Sequence, residues 1–136
     1  MGVYTGTGVG DTITPDSVSA HVKAVPAGSR PSDAADSLYG LGGNDTLDSG
    51  GGADAVRGDG GNDQITFHGQ GSNVRGGAGD DMIDYWPDAN TVSGTAYGDD
   101  GQDQINLDLY DREVGAGTMV FHGGVGDDHL ASTGID

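Results

Sequence analysis

The chain has 136 residues, enough for one domain, with 33% hydrophobic residues, 28 glycines, no cysteine and a net charge of −17. That apolar share cannot fill a thick core, the missing thiols exclude disulfides and thiolate metal sites, and the charge makes nucleic acid and an anionic membrane poor partners. No stretch reaches transmembrane length and no N-terminal signal peptide is visible, so membrane insertion is not expected.

Of the 22 acidic residues, 21 are aspartates and one is Glu113. Aspartate is a short carboxylate that fits tight turns and reaches a metal beside its own backbone. Left unneutralised, this charge and the low hydrophobicity predict an expanded chain. Five divalent cations would bring the charge to about −7 and would be a structural component.

In chain order, GTGVGDTIT at 6–14 is an imperfect first copy of a nonapeptide, with Asp11 at its sixth position and Ile13 at its eighth. Residues 15–30 break the pattern with Pro15, Pro26 and the single lysine, Lys23, and read as a loop excursion. From Pro31 to Ser93 the chain divides into seven nonapeptides. Their sixth positions are Asp36, Asp45, Asp54, Asp63, Ser72, Asp81 and Asn90, and their eighth are Leu38, Leu47, Val56, Ile65, Val74, Ile83 and Val92. Two further copies, GDDGQDQIN at 98–106 and GGVGDDHLA at 123–131, follow insertions in 85–97 and 107–122. A branched aliphatic residue held in phase through decayed turns points to a solenoid. Positions seven to nine make a very short strand with the eighth facing inward, and the six Gly/Asp-rich residues make the turn.

Two nonapeptides close one rung, so the turns fall into two columns. Well-formed turns begin at Gly40, Gly58, Gly76, Gly98 and Gly123. The other column, 31–36, 49–54, 67–72 and 85–90, loses its glycines and then its aspartates. Most of the aromatics lie on that decayed side: Phe67, Tyr85, Trp86, Tyr97, Tyr110 and Phe121.

Calcium takes six to eight oxygens at about 2.3–2.6 Å in flexible geometry. An extended glycine-rich turn alternates the direction of its residues, so odd positions of one turn and even positions of its neighbour can face a common gap. Position six supplies a carboxylate from Asp45, Asp63, Asp81, Asp103 and Asp128, and position five a side-chain oxygen from Asn44, Asn62, Asp80, Gln102 and Asp127. Five stacked turns enclose four gaps, and Asp54 with Asp36 adds one more; Asp11 and Asp36 are the weaker candidates. The expected load is about four to six Ca2+ ions.

Over residues 31–131 the pattern resembles the RTX (repeats-in-toxin) family of secreted calcium-binding proteins. The resemblance implies a right-handed parallel β-roll, an all-β solenoid, whose folding is driven by calcium and which leaves the cell by type I secretion. It implies turn carbonyls as further ligands: Gly40, Gly42 and Gly43; Gly58, Gly60 and Gly61; Gly76, Gly77, Ala78 and Gly79; Gly98, Asp100 and Gly101; Gly123, Gly124, Val125 and Gly126.

Other chemistry is weakly represented. There is no phosphate loop, zinc-protease motif or nucleophile elbow, and His21, His68, His122 and His129 are scattered, so no enzyme is expected. Arg57 and Arg75 both occupy position nine, on adjacent rungs, where like charges are unfavourable unless an anion sits over them. With no capping helix at either end, uncapped rungs invite end-to-end or lateral self-association. The expected function is an extracellular or cell-surface calcium-dependent structural protein that self-associates into a filament or layer. The alternatives are a module that binds an extracellular polysaccharide, and a folding and secretion module of a larger enzyme.

Overall fold

The computed structural model of the chain describes residues 1–88, 91–109 and 117–133. Among them two sheets run along a common axis. One contains β1 (Val3–Thr5), β3 (Lys23–Val25), β4 (Ser37–Gly42), β6 (Ala55–Gly60), β8 (Ser72–Ala78), β10 (Ser93–Asp100) and β12 (Thr118–Val125). The other contains β2 (Thr12–Ile13), β5 (Thr46–Asp48), β7 (Gln64–Phe67), β9 (Met82–Tyr85), β11 (Gln104–Asp108) and β13 (His129–Thr133). Every ladder within these sheets is parallel except β1 with β3. The chain alternates between the sheets through the turns, which makes the expected parallel β-roll. No described residue is helical, so none of these residues forms a helix long and apolar enough to cross a membrane.

The core is two facing rows of side chains. In one sheet Tyr4, Leu38, Val56, Val74, Ala96 and the partly buried Phe121 are in register; in the other Ile13, Leu47, Ile65, Ile83 and Ile105 are, with Leu130 next in register but exposed. Side chains alternate along each strand, so one apolar residue per nonapeptide fills the interior. Ile65, Val74 and Ile83 are fully buried.

Four sequence expectations change. The strands are not confined to positions seven to nine: β4, β6, β8, β10 and β12 run on through the first three residues of the glycine-rich turn. Val92 is buried at the insertion, but Ala96 pairs with Val74, so Ala96 is the residue that continues the inward row. The same register sets Gly94 beside Ser72 and Met119 beside Gly94, while Asn90 lies outside the described residues. The sixth positions of the decayed column therefore run Asp36, Asp54, Ser72, Gly94, Met119.

The decayed column also carries core. Phe67 and Tyr85 are fully buried and stacked, with ring centroids 4.5 Å apart and planes 9° apart. Leu107 follows Tyr85 in register. Where the turn has no position-six aspartate, at 67–72 and 85–90, an aromatic at its first position fills the interior instead. Trp86 is half exposed.

Finally, the 15–30 excursion is a cap. β3 pairs antiparallel with β1 and covers the edge of one sheet; Val18 bridges Ile13 at the edge of the other. Val22 and Ala24 pack against the core. The N-terminal end is thus closed without a helix, and β12 and β13 have no neighbour beyond them among the described residues.

Truncating Phe67 removes a buried, stacked ring, so Phe67→Ala should cost about 3–5 kcal/mol in urea unfolding at saturating calcium. Trp86→Ala should stay within about 0.5 kcal/mol, as a surface change does. Equal costs for the two would contradict this assignment of the aromatics.

Candidate metal sites

Each position-six aspartate is held by its neighbours' backbone. The Asp11 amide donates to Asp45 Oδ1 (2.6 Å), Asp45 to Asp63 (2.8 Å), Asp63 to Asp81 (2.8 Å), Asp81 to Asp103 (2.9 Å) and Asp103 to Asp128 (3.1 Å). In the second column Asp36 donates to Asp54 Oδ1 (2.8 Å), and Asp54 donates to Ser72 Oγ (3.1 Å), where the serine hydroxyl replaces the carboxylate.

The other carboxylate oxygen has no such partner. Oδ2 of Asp45, Asp54, Asp63, Asp81 and Asp103 is buried without a hydrogen bond. Each of these residues is 2–3% exposed, and no lysine or arginine reaches one among the described residues. A buried carboxylate with an unpaired oxygen is costly unless a cation answers it.

The turns supply the remaining oxygens. Position-four carbonyls of Gly43, Gly61, Gly79 and Gly101 press on Gly61, Gly79, Gly101 and Gly126 of the following turn. Position-two carbonyls of Asp59 and Asp99 do the same to Gly77 and Gly124. Position-one carbonyls of Gly58, Gly76, Gly98 and Gly123 face back toward the preceding turn, as do position-three carbonyls of Ala78, Asp100 and Val125, which accept from Gly61, Gly79 and Gly101 amides (2.9, 2.8 and 2.9 Å). Each gap therefore gathers carbonyls at positions two and four of one turn and one and three of the next. A Cβ at Gly40, Gly58, Gly76 or Gly98 would strike Oδ2 of its own turn's aspartate. Position four is left-handed, φ +97° to +148°, at Gly43, Gly61, Gly79, Gly101 and Gly126, and the facing carbonyl leaves no room for a Cβ. Among the described residues no three His, Asp or Glu side chains converge. The ligand field is thus mostly backbone oxygen with one carboxylate per gap, the donor set that a hard cation such as calcium takes.

Position five forms a second ladder beside these carbonyls. Asn44 Oδ1 accepts from the Asn62 amide (2.9 Å), Asn62 Oδ1 from Asp80 (3.1 Å) and Asp80 Oδ1 from Gln102 (2.9 Å), an exposed ladder of opposite polarity. These side chains spend one oxygen on the neighbouring turn. Asp127 and Asp128 belong to the last turn, where Asp128 is half-buried and Asp127 exposed. Asp11 and Asp36, the weaker candidates, differ from the rest: Asp11 Oδ2 accepts from the Thr7 amide (2.7 Å) and Asp36 Oδ2 from the Ser32 amide (2.9 Å).

Arg57 and Arg75 are adjacent as expected. Arg75 is already answered: its guanidinium binds Asp99 (2.8 Å) and lies 4.3 Å from the Tyr97 ring centre, and Tyr97 stacks on His122 at 4.7 Å.

Residues 32–65 and 69–92 match the family model of the RTX calcium-binding nonapeptide repeat, in four copies. Comparison with curated proteins gave no match, and comparison with solved structures gave none. The matched segment ends at 92, yet the turns at 98–103 and 123–128 continue the same aspartate ladder.

Burial pushes the ladder carboxyls up: Asp54 and Asp63 to about 6 and Asp81 to about 7, with Asp45 and Asp103 also raised. A carboxyl raised in the fold stabilises it below the ordinary value of 3.8 and loses that contribution as pH rises through 6 to 7. Without calcium, the fold should therefore be more populated at about pH 5 than at about pH 8 by circular dichroism. Calcium must displace these protons, so its midpoint should rise as pH falls from about 8 to about 6, with protons released on binding. A midpoint unchanged across that range would contradict the assignment.

Proposed function

We propose that this chain, an RTX-repeat protein over residues 32–92, is a secreted calcium-dependent structural protein that self-associates outside the cell. Calcium binding follows from the repeat; what supports a structural role is the row of buried, unpartnered aspartate oxygens, which leaves calcium as part of the framework. Turns at 40–45, 58–63, 76–81, 98–103 and 123–128 would hold ions in the gaps between them, and Asp54 would hold one in the second column. Ion affinities would suit extracellular calcium at about 10⁻⁴–10⁻³ M. RTX repeats are typical of secreted proteins, and export by a type I system agrees with a chain that folds only where calcium is abundant.

Self-association is supported by the unpaired edges of β12 and β13 among the described residues. The cap formed by 15–30 argues against stacking through the other end, so the contact would use the β12/β13 edges or the sides of the roll. The acidic-polysaccharide reading has less to rest on, because Arg75 is already paired with Asp99 and Arg57 alone is left.

Light scattering behind size exclusion, with negative-stain imaging, tests this. In millimolar calcium the chain should form oligomers whose population rises with protein concentration and which dissolve in chelator. Monodisperse monomers at every concentration in calcium would remove the assembly role and leave a calcium-folded module.

A further inference from the structure

The first turn of each column is built differently from the aspartate-bearing turns that follow. In turns 40–45, 49–54, 58–63, 76–81, 98–103 and 123–128, position two is left-handed: Leu41, Gly50, Asp59, Gly77, Asp99 and Gly124 have φ between +73° and +125°. Three of these are not glycine, so the conformation is held at some cost. In turns 6–11 and 31–36 position two is Thr7 and Ser32, and neither is left-handed.

The consequence reaches the aspartate. The Thr7 amide and hydroxyl both donate to Asp11 Oδ2, at 2.7 and 3.0 Å. The Ser32 amide and hydroxyl both donate to Asp36 Oδ2, at 2.9 and 3.3 Å. Each hydroxyl also accepts the amide two residues on, from Val9 (3.4 Å) and from Ala34 (3.2 Å), the local turn that serine and threonine favour. Oδ1 is met from the N-terminal side in both turns. Asp11 Oδ1 makes no hydrogen bond and lies 2.5 Å from His21 Nε2 of the cap, an ion pair when the imidazole is protonated, and Asp36 Oδ1 accepts the Gly2 amide. Two unrelated stretches of chain thus reach the same solution at Oδ2, with an amide and a hydroxyl donating to it in each. In Asp45, Asp54, Asp63, Asp81 and Asp103 it is Oδ2 that is left bare.

We propose that Thr7 and Ser32 are specificity-determining residues that make the first turn of each column calcium-free, so that the N-terminal rung ends both ladders with hydrogen bonds where later rungs use ions. Donors on Oδ2 oppose a cation, because an N–H or O–H presents positive charge where the ion would sit. The rung so formed, with the 15–30 cap, gives the calcium-loaded turns a finished neighbour on that side. This rests on the calcium reading of the later turns.

Native mass spectrometry of the full chain at saturating calcium, with magnesium as the control for loose adducts, counts the ions. Asp63→Asn should lose one ion relative to the unsubstituted chain. Asp11→Asn and Asp36→Asn should lose none. Because an amide beside Thr7 or Ser32 could disturb folding, the second test is Thr7→Val with Ser32→Ala, which keeps both backbone amides. That variant should keep the full ion count, with earlier hydrogen exchange at 2–14 and 31–38. Loss of an ion there would overturn the proposal, since the hydroxyls would then be ligands, and so would loss of an ion in a folded Asp11→Asn or Asp36→Asn protein. An unsubstituted chain that binds no calcium would instead sink the reading on which the proposal stands.

Discussion

A carboxylate has two oxygens, and beyond the first rung of this roll the backbone answers only one. Oδ1 of each position-six aspartate from Asp45 to Asp128 takes the amide of the rung before it, which ties neighbouring turns together and draws the carboxylate inside. Oδ2 is thereby buried with nothing to meet it at Asp45, Asp54, Asp63, Asp81 and Asp103. Repeating this on every rung stacks like charges a strand spacing apart, about 4.8 Å. Protons can neutralise the row in acid; at neutral pH the geometry calls for cations. The thin apolar core, one inward residue per nonapeptide, offers little to offset unpaid buried charge. Stability, calcium and the acidic composition are in this sense one property.

The two edges solve the turn differently. On one, glycines let carbonyls alternate between gaps and the carboxylate close each site. On the other, ligands run out in the order Asp36, Asp54, Ser72, Gly94, Met119, and Phe67, Tyr85 and Leu107 fill the interior instead. Ser72 marks the crossover: its hydroxyl still accepts the Asp54 amide, so the ladder bond survives one rung longer than the charge. Packing fills that side where the carboxylates run out, and Phe67 and Tyr85 serve the core there.

Much of this was legible in the sequence. The phase of Leu38 through Ile83 encodes the inward rows, and the Gly-Asp spacing encodes the good column, because both are local and strictly periodic. Register across 85–97 was not, since an insertion hides which residue resumes the row, and Val92 offered a plausible aliphatic where the ladder uses Ala96. The cap was missed because Lys23–Val25 follows no repeat, and its antiparallel pairing with β1 is a tertiary choice. Arg75 looked unpaired because its partner, Asp99, lies 24 residues away on the next rung. Thr7 and Ser32 do not stand out in the sequence, since position two also holds Leu41, Asp59 and Asp99, and their meaning needs the backbone conformation.

Small-angle scattering of the full chain at about pH 7.5, in calcium and then in chelator, tests the central claim most directly. A folded chain of this length has a radius of gyration of about 14 Å, somewhat more for an elongated roll, and an unfolded one about 38 Å. The buried carboxylate row predicts the compact value in calcium and a large shift toward the expanded value when calcium is removed. A chain that stays compact in chelator at that pH would show that the fold carries these charges without metal, and would contradict the account.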